Sequence, residues 1–174
     1  LITNVISEKG EKLWLLPMKK DSAFIPDFEY LKKLYAFVNA NIANGKIKFA
    51  TVAEKGGAVA AVSKSCFGNG FGFEFECDKN TLFNERYGDL IISFDGEIKD
   101  VDAIYLGKSA EGGFVCGGEE VAYKEAENAY TKRLDGVFPA TAPADGEIPE
   151  CAHTVTKVKA SSVKIAKPRV FIPA

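Results

Sequence analysis

The sequence is poor in the residues that most often carry chemistry. Its 174 residues hold one histidine (His153), one methionine (Met18) and one tryptophan (Trp14). A single imidazole cannot build a multi-histidine metal centre, and it offers any nucleophile only one general base of that type. The four cysteines, Cys66, Cys77, Cys116 and Cys151, stand far apart with no CxxC pair, so neither a zinc ribbon nor a dense disulfide framework is encoded. No run approaches the roughly 20 consecutive apolar residues of a membrane-spanning helix, and no basic-then-apolar leader opens the chain. Charge of neither sign dominates: 22 Lys and Arg face 24 Asp and Glu, a net −2. That balance argues against nucleic acid or a membrane surface as the main partner. A reduced, cytoplasmic setting is the expectation.

What is present is an ordinary globular composition, 47% hydrophobic and 26% charged, with enough length for one domain and its core. LWLLPM (13–18) reads as a buried strand, with Pro17 marking an edge or an end. After Pro26, apolar residues Phe28, Leu31, Leu34, Tyr35, Val38 and Ile42 recur at helical spacing; Asp27 and Glu29 suit the first turn and Gly45 the exit. KIKFATVA (46–53) reads as a strand, and GGAVAAVSKSCF as a short helix apolar on nearly every side, hence buried. FGFEFE sets Phe71, Phe73 and Phe75 on one face and Glu74 and Glu76 on the other, the period of a half-buried strand. LFNERYG reads as a turn or short helix, DLIISF and DAIYLG as strands, and FVCGGEEV as a short strand followed by a turn. EEVAYKEAENAYTKRL (119–134) reads as a second amphipathic helix with Val121, Ala122, Ala126, Ala129, Tyr130 and Leu134 near one stripe. Together these predict an α/β (α+β) sandwich, with helices packed on one side of a mixed sheet.

From Gly136 the texture changes. Pro139, Pro143, Pro149, Pro168 and Pro173 are five of the seven prolines, and no acidic residue follows Glu150. Residues 139–174 therefore read as an extended linker carrying Lys157, Lys159, Lys164, Lys167 and Arg169, and residues 1–138 as the domain. His153 and Cys151 fall in this tail, without partners at metal-ligand spacing. The start at Leu1 and the apolar close RVFIPA suggest a piece of a longer polypeptide.

Among the motifs, GNGFGF (68–73) fails the dinucleotide fingerprint, because Phe73 stands where the third glycine belongs and a helix precedes it. LGKSAEGG (106–113) holds a GKS tripeptide, but Asp102 occupies the first glycine position of a phosphate loop, and a β-turn is expected there. EKGG (Glu54, Lys55, Gly56, Gly57) is the candidate binding site. A strand ending there and a helix starting at the glycines would direct free backbone N–H groups outward, with Lys55 adding positive charge. A tight strand-to-helix turn with close packing is the plainer alternative.

The order of elements, helix, then IKFATVAEKGGAVAAVSKSCFGNGFGFEFE, LFNERYGDLIISF, DAIYLGKS and GGEEVAYKEAENAYTKRLDGVFP, resembles the phosphoribosylformylglycinamidine synthase family, at the second of its two AIR-synthase-like C-terminal domains. KPRVFIP resembles the lead-in to that family's glutaminase domain. The resemblance implies an ATP- and glutamine-dependent ligase of purine biosynthesis. Its full-length form uses ATP or ADP and Mg²⁺, activates an amide oxygen by phosphorylation and lets ammonia displace the phosphate. It implies as partners the N-terminal AIR-synthase-like domains and a C-terminal glutaminase domain of the same polypeptide, and it leaves a homodimer open.

The family loop reads His-Asp-x-Ser-Asp-Gly-Gly. Aligned on the glycines, those side-chain positions hold Thr51, Val52, Glu54 and Lys55. Val52 offers no oxygen where the family ligates magnesium, and Lys55 reverses a charge, so no metal ligand and no catalytic residue is assigned here. The glycines alone carry over, as in a degenerate copy of a nucleotide site, and the isolated chain is expected to be inactive. The alternatives are a structural or interaction module with a lost site, or a domain of another ATP-using relative such as aminoimidazole ribonucleotide synthetase or selenophosphate synthetase.

Overall fold

A computed structural model describes residues 2–139; the tail, with Cys151, His153 and the expected linker, lies outside the described residues. These residues form one mixed seven-stranded sheet and four helices, an α/β fold of the expected class. The strands are β1 (Lys12–Leu16), β2 (Ala50–Val52), β3 (Gly72–Phe75), β4 (Leu90–Ser93), β5 (Ile104–Ala110), β6 (Phe114–Cys116) and β7 (Glu119–Val121). The helices are α1 (Phe28–Ala43), α2 (Gly57–Phe67), α3 (Lys79–Phe83) and α4 (Tyr123–Thr131). Across the sheet the order is β2-β4-β1-β5-β3-β6-β7, antiparallel throughout except for the β3–β6 pair.

Alternation along β1 divides the interior into two cores. Leu13 and Leu15 point to one face, where Ala58, Val62 and Cys66 of α2, Leu82 of α3 and Phe73 and Phe75 of β3 pack. Trp14 and Leu16 point to the other, where Leu34, Leu31, Phe37 and Val38 of α1 cover Ile92, Ile47 and Val101. The helices thus lie on both faces and not on one side as the strand-and-helix pattern suggested. Both cores are needed because β4 is apolar at successive residues: Ile91 faces the first core and Ile92 the second, each fully buried. A completely buried side chain of this size contributes about 1.5–3 kcal/mol.

Local chemistry explains most element boundaries. Asp27 caps α1, its carboxylate accepting from the N–H groups of Glu29 (3.1 Å) and Tyr30 (3.0 Å). Gly45 leaves the helix with φ of 70°. Asp78 caps α3 in the same way, accepting from the Thr81 N–H and hydroxyl, and these bonds hold its carboxyl below the usual carboxylate range. The cap explains why the short helix begins at Lys79, ahead of LFNERYG. Pro17 directly follows β1, which is a central strand, so the proline marks an end and not an edge.

Three other sequence expectations are corrected. The strand expected over 46–53 pairs only at Ala50–Val52, preceded by an isolated bridge from Phe49 to Thr3. The GKS tripeptide is not in a turn: Gly107, Lys108 and Ser109 lie inside β5, and the turn falls after Ala110. The helix expected from Glu119 starts at Tyr123, because Glu119–Val121 pairs with β6 as β7. Gly117 (φ 58°) and Gly118 (φ 84°) form the two-residue connection, left-handed at both positions as a tight hairpin requires.

Gly107 has a specific structural duty. The β1–β5 register shifts between Leu13 and Trp14, a bulge, and Gly107 sits there with φ of 134°. A Cβ at this position would overlap the carbonyl oxygen of Glu74 on β3. Gly112 has an equally left-handed φ of 97° but open space around it. Gly107→Ala is expected to cost about 3 kcal/mol or more, and Gly112→Ala about 1 kcal/mol, from backbone strain alone. Urea unfolding of the two variants checks this; equal losses would show that strain, not the β3 contact, makes Gly107 necessary.

Candidate functional site

The Glu54–Gly57 turn lies where β2 hands over to α2. Glu54, Lys55 and Gly56 are exposed, whereas Gly57 is buried. Gly56 adopts φ of 90° in the left-handed region and forms the N-cap of α2 with no side-chain cap. The Gly57 N–H donates to the Glu54 carbonyl at 3.0 Å, closing the turn on itself. That bond uses one of the N–H groups that a helix start would otherwise offer to an anion. Gly57 is required by packing: a Cβ there would meet the backbone of α3 and its exit, overlapping the Leu82 carbonyl and reaching 2.7 Å from the Asn84 carbonyl.

A cleft of about 480 Å³ opens beside the turn, between the β2 edge of the sheet and α2. Glu54 and Lys55 line it; Gly56 and Gly57 do not. Thr51 and Val52 contribute from β2, Asn4 from the N-terminal segment, and Lys64 and Ser65 from α2. Lys64 is the one exposed residue of α2; it lines the cleft, and its ammonium lies 5.9 Å from the centre of the Tyr130 ring of α4. The sequence reading missed Lys64. Its signal was visible, a lone lysine in GGAVAAVSKSCF, but its direction depends on which face of α2 meets the sheet.

An ion pair between buried Asp89 and half-buried Arg86 stands beside the turn, outside the cleft lining. Asp89, 5% exposed, stands at the start of β4. Its carboxylate accepts from the Met18 N–H at 2.9 Å and from Arg86 Nη1 at 3.3 Å, and its carbonyl accepts from the Ala53 N–H at 2.9 Å. Arg86 Nε also donates to the Thr81 carbonyl at 3.2 Å. The exits of β1 and β2 and the α3–β4 loop are thereby held together directly behind the turn.

The donor set defines what the cleft suits. Two ammonium groups, a hydroxyl at Thr51 and an amide at Asn4 offer hydrogen-bond donors and positive charge, opposed by one carboxylate at Glu54. That combination fits phosphate oxygens. It does not fit Mg²⁺, which demands a near-octahedral shell of oxygens anchored by carboxylates. Among the described residues no group of three or more His, Cys, Asp or Glu side chains converges to hold a metal. The cysteines add no reactive group here: burial pushes the Cys66 thiol up to about 12 and the Cys77 thiol up to about 11, so both stay protonated at neutral pH.

No family model matches the sequence, and no curated protein matches it. Solved structures do. Phosphoribosylformylglycinamidine synthase II from Thermotoga maritima aligns with 91% of this chain at a TM-score of 0.57 and 12% identity. T. maritima PurL complexed with ATP aligns with 89% of it at a TM-score of 0.58 and 13% identity. The chain spans 30% and 31% of those two chains, so it is similar to a domain-sized segment of each. At these identities the likeness is one of fold.

The two roles inside the turn separate by mutation. Gly57→Ala is expected to lower unfolding stability by about 3 kcal/mol, because rigid α3 backbone stands where the methyl group would go. Lys55→Ala, at an exposed position, is expected to change it by no more than about 0.5 kcal/mol. Chemical denaturation of both variants provides the comparison; a tolerated Gly57→Ala would mean that α2 is free to move off α3.

Proposed function

We propose that the chain is a domain of a phosphoribosylformylglycinamidine synthase-type ligase, and that the cleft beside Glu54–Gly57 walls a nucleotide-phosphate site without holding the metal. The observation that carries this reading is that nearly the whole chain follows one segment of two synthase structures, one of them complexed with ATP. The composition of the cleft supports it. Lys55 and Lys64 would neutralise phosphate charge, Thr51 and Asn4 would donate hydrogen bonds, and Glu54 would disfavour a second anion beside them. Bound ATP would supply the phosphoryl group of the full enzyme's reaction. This chain's own residues would bind and orient and carry out no chemical step. Residues 139–174 would link the domain to a glutaminase domain, and the isolated chain would turn over neither glutamine nor ATP with the amide substrate.

A second reading, a structural domain whose site is lost, draws on Gly57: the better-placed glycine is spent on α2–α3 packing and its N–H on Glu54. Calorimetric titration of the chain with ADP and ATP, with and without Mg²⁺, decides between them. The expected result is binding in the range of about 0.1–1 mM, unchanged by Mg²⁺ and weakened about fivefold by either Lys55→Ala or Lys64→Ala. Binding that requires Mg²⁺ would overturn the metal-independent assignment. The absence of heat with either nucleotide at about ten times that concentration would favour the structural domain.

A further inference from the structure

A hollow of about 390 Å³ lies at the end of the sheet opposite the Glu54–Gly57 turn. β1 begins and β4 ends there, as the Leu13–Ser93 pair shows, whereas Val52 and Leu90 pair at the turn end. None of its lining residues lines the cleft beside the turn. Charges of both signs line it: Glu8 and Glu11 from the segment leading into β1, Lys46 and Lys48 from the segment after α1. A second hollow, of about 490 Å³, adjoins it and shares Lys46, Lys48, Phe94 and Asp95.

Buried and hydrogen-bonded groups set this wall. Ser93 is buried, and its Oγ accepts from the N–H groups of Lys48 (3.3 Å) and Phe49 (3.0 Å), which ties the segment after α1 to the end of β4. Ile47 is buried between two exposed lysines, so Lys46 and Lys48 both leave that segment away from the core. The Glu11 N–H donates to Ser109 Oγ at 2.9 Å, and its carboxylate accepts from the Ser7 N–H at 3.3 Å. Two other lysines of the lining are already paired, Lys9 with Glu111 at 3.3 Å and Lys12 with Asp95 at 2.8 Å. Glu8, Glu11, Lys46 and Lys48 form no ion pair among the described residues. Burial pushes the half-buried Glu11 carboxyl above its ordinary value, with Glu8 adding to the rise, while the Ser7 N–H, the Ser93 hydroxyl and Lys48 pull it down.

We infer that this hollow binds a small zwitterion of the α-amino acid class, its carboxylate against Lys46 and Lys48 and its ammonium against Glu11 and Glu8. Three observations select that class. A carboxylate drawn partly out of water without a cation costs free energy, and a cation arriving with the ligand would recover it. The two ammonium groups likewise lack a carboxylate, although carboxylates line the same space. A simple anion would be opposed by Glu8 and Glu11 and a simple cation by Lys46 and Lys48, so only a ligand carrying both signs satisfies all four. A titratable group shifted by burial within a cavity of this size is also what binding sites present. The inference does not rest on the nucleotide reading, since the two sites share no residue.

Amide NMR of the 174-residue chain, titrated with L-alanine to about 20 mM, tests this, because alanine carries both charges on a minimal side chain. Saturable shifts at the amides of Gly10, Lys48 and Phe94 are expected, with Kd on the order of 1 mM, and none at Thr51 or Lys55. Propionate, which lacks the ammonium, and ethylamine, which lacks the carboxylate, should each bind at least about fivefold more weakly. Glu11→Gln and Lys48→Ala should each weaken alanine by a similar factor, whereas Lys33→Ala, at an exposed position of α1, should leave it within about twofold. Far-UV circular dichroism confirms that each variant is folded. Propionate or inorganic phosphate binding as tightly as alanine would make this a plain anion site and overturn the inference. So would the absence of saturable shifts at those three amides, or alanine binding that neither Glu11→Gln nor Lys48→Ala weakens.

Discussion

The three contacts of Asp89 are the constraint on which the candidate site depends. One buried residue holds the exit of β1 through Met18, the exit of β2 through Ala53 and the α3–β4 loop through Arg86. Each segment would otherwise be free at the end of the sheet. The Arg86 side chain keeps 24% of its surface in water, so the pair is not itself a large source of stability. Its value here is positional. With those exits fixed, the turn from β2 into α2 can take only a tight path, and α2 must start against the backbone of α3.

That tight path divides the work of neighbouring residues. Gly57 has no room for a side chain and faces carbonyl oxygens, so it serves packing. Glu54 and Lys55, at the outer part of the same turn, line the cleft with Lys64. The cleft lining therefore carries one carboxylate, Glu54, beside Lys55 and Lys64.

The local patterns were legible where one element answers to its own residues. The Phe28–Ile42 spacing announced α1, although Asp27, expected in its first turn, proves to be its cap, and alternating phenylalanines announced β3 with Phe73 and Phe75 inward. The apolar run of α2 announced a buried helix. The GKS tripeptide was misread as a turn because glycine is common in turns. Its true role, a bulge passing under Glu74, is a contact with a strand more than thirty residues away. The Gly117–Gly118 pair lay in plain view, yet the helical spacing that follows it obscured β7.

The sequence by itself determined the class of fold, most elements and the position of the strand-to-helix turn, because helical and strand periods and capping residues act within a few neighbours. Only the tertiary structure decided the order of strands, the two cores on opposite faces and the commitment of Gly57 to packing. All of these depend on which distant segments meet. A one-residue change of register, such as the bulge at Gly107, redirects every side chain beyond it, and no local pattern encodes where that change falls.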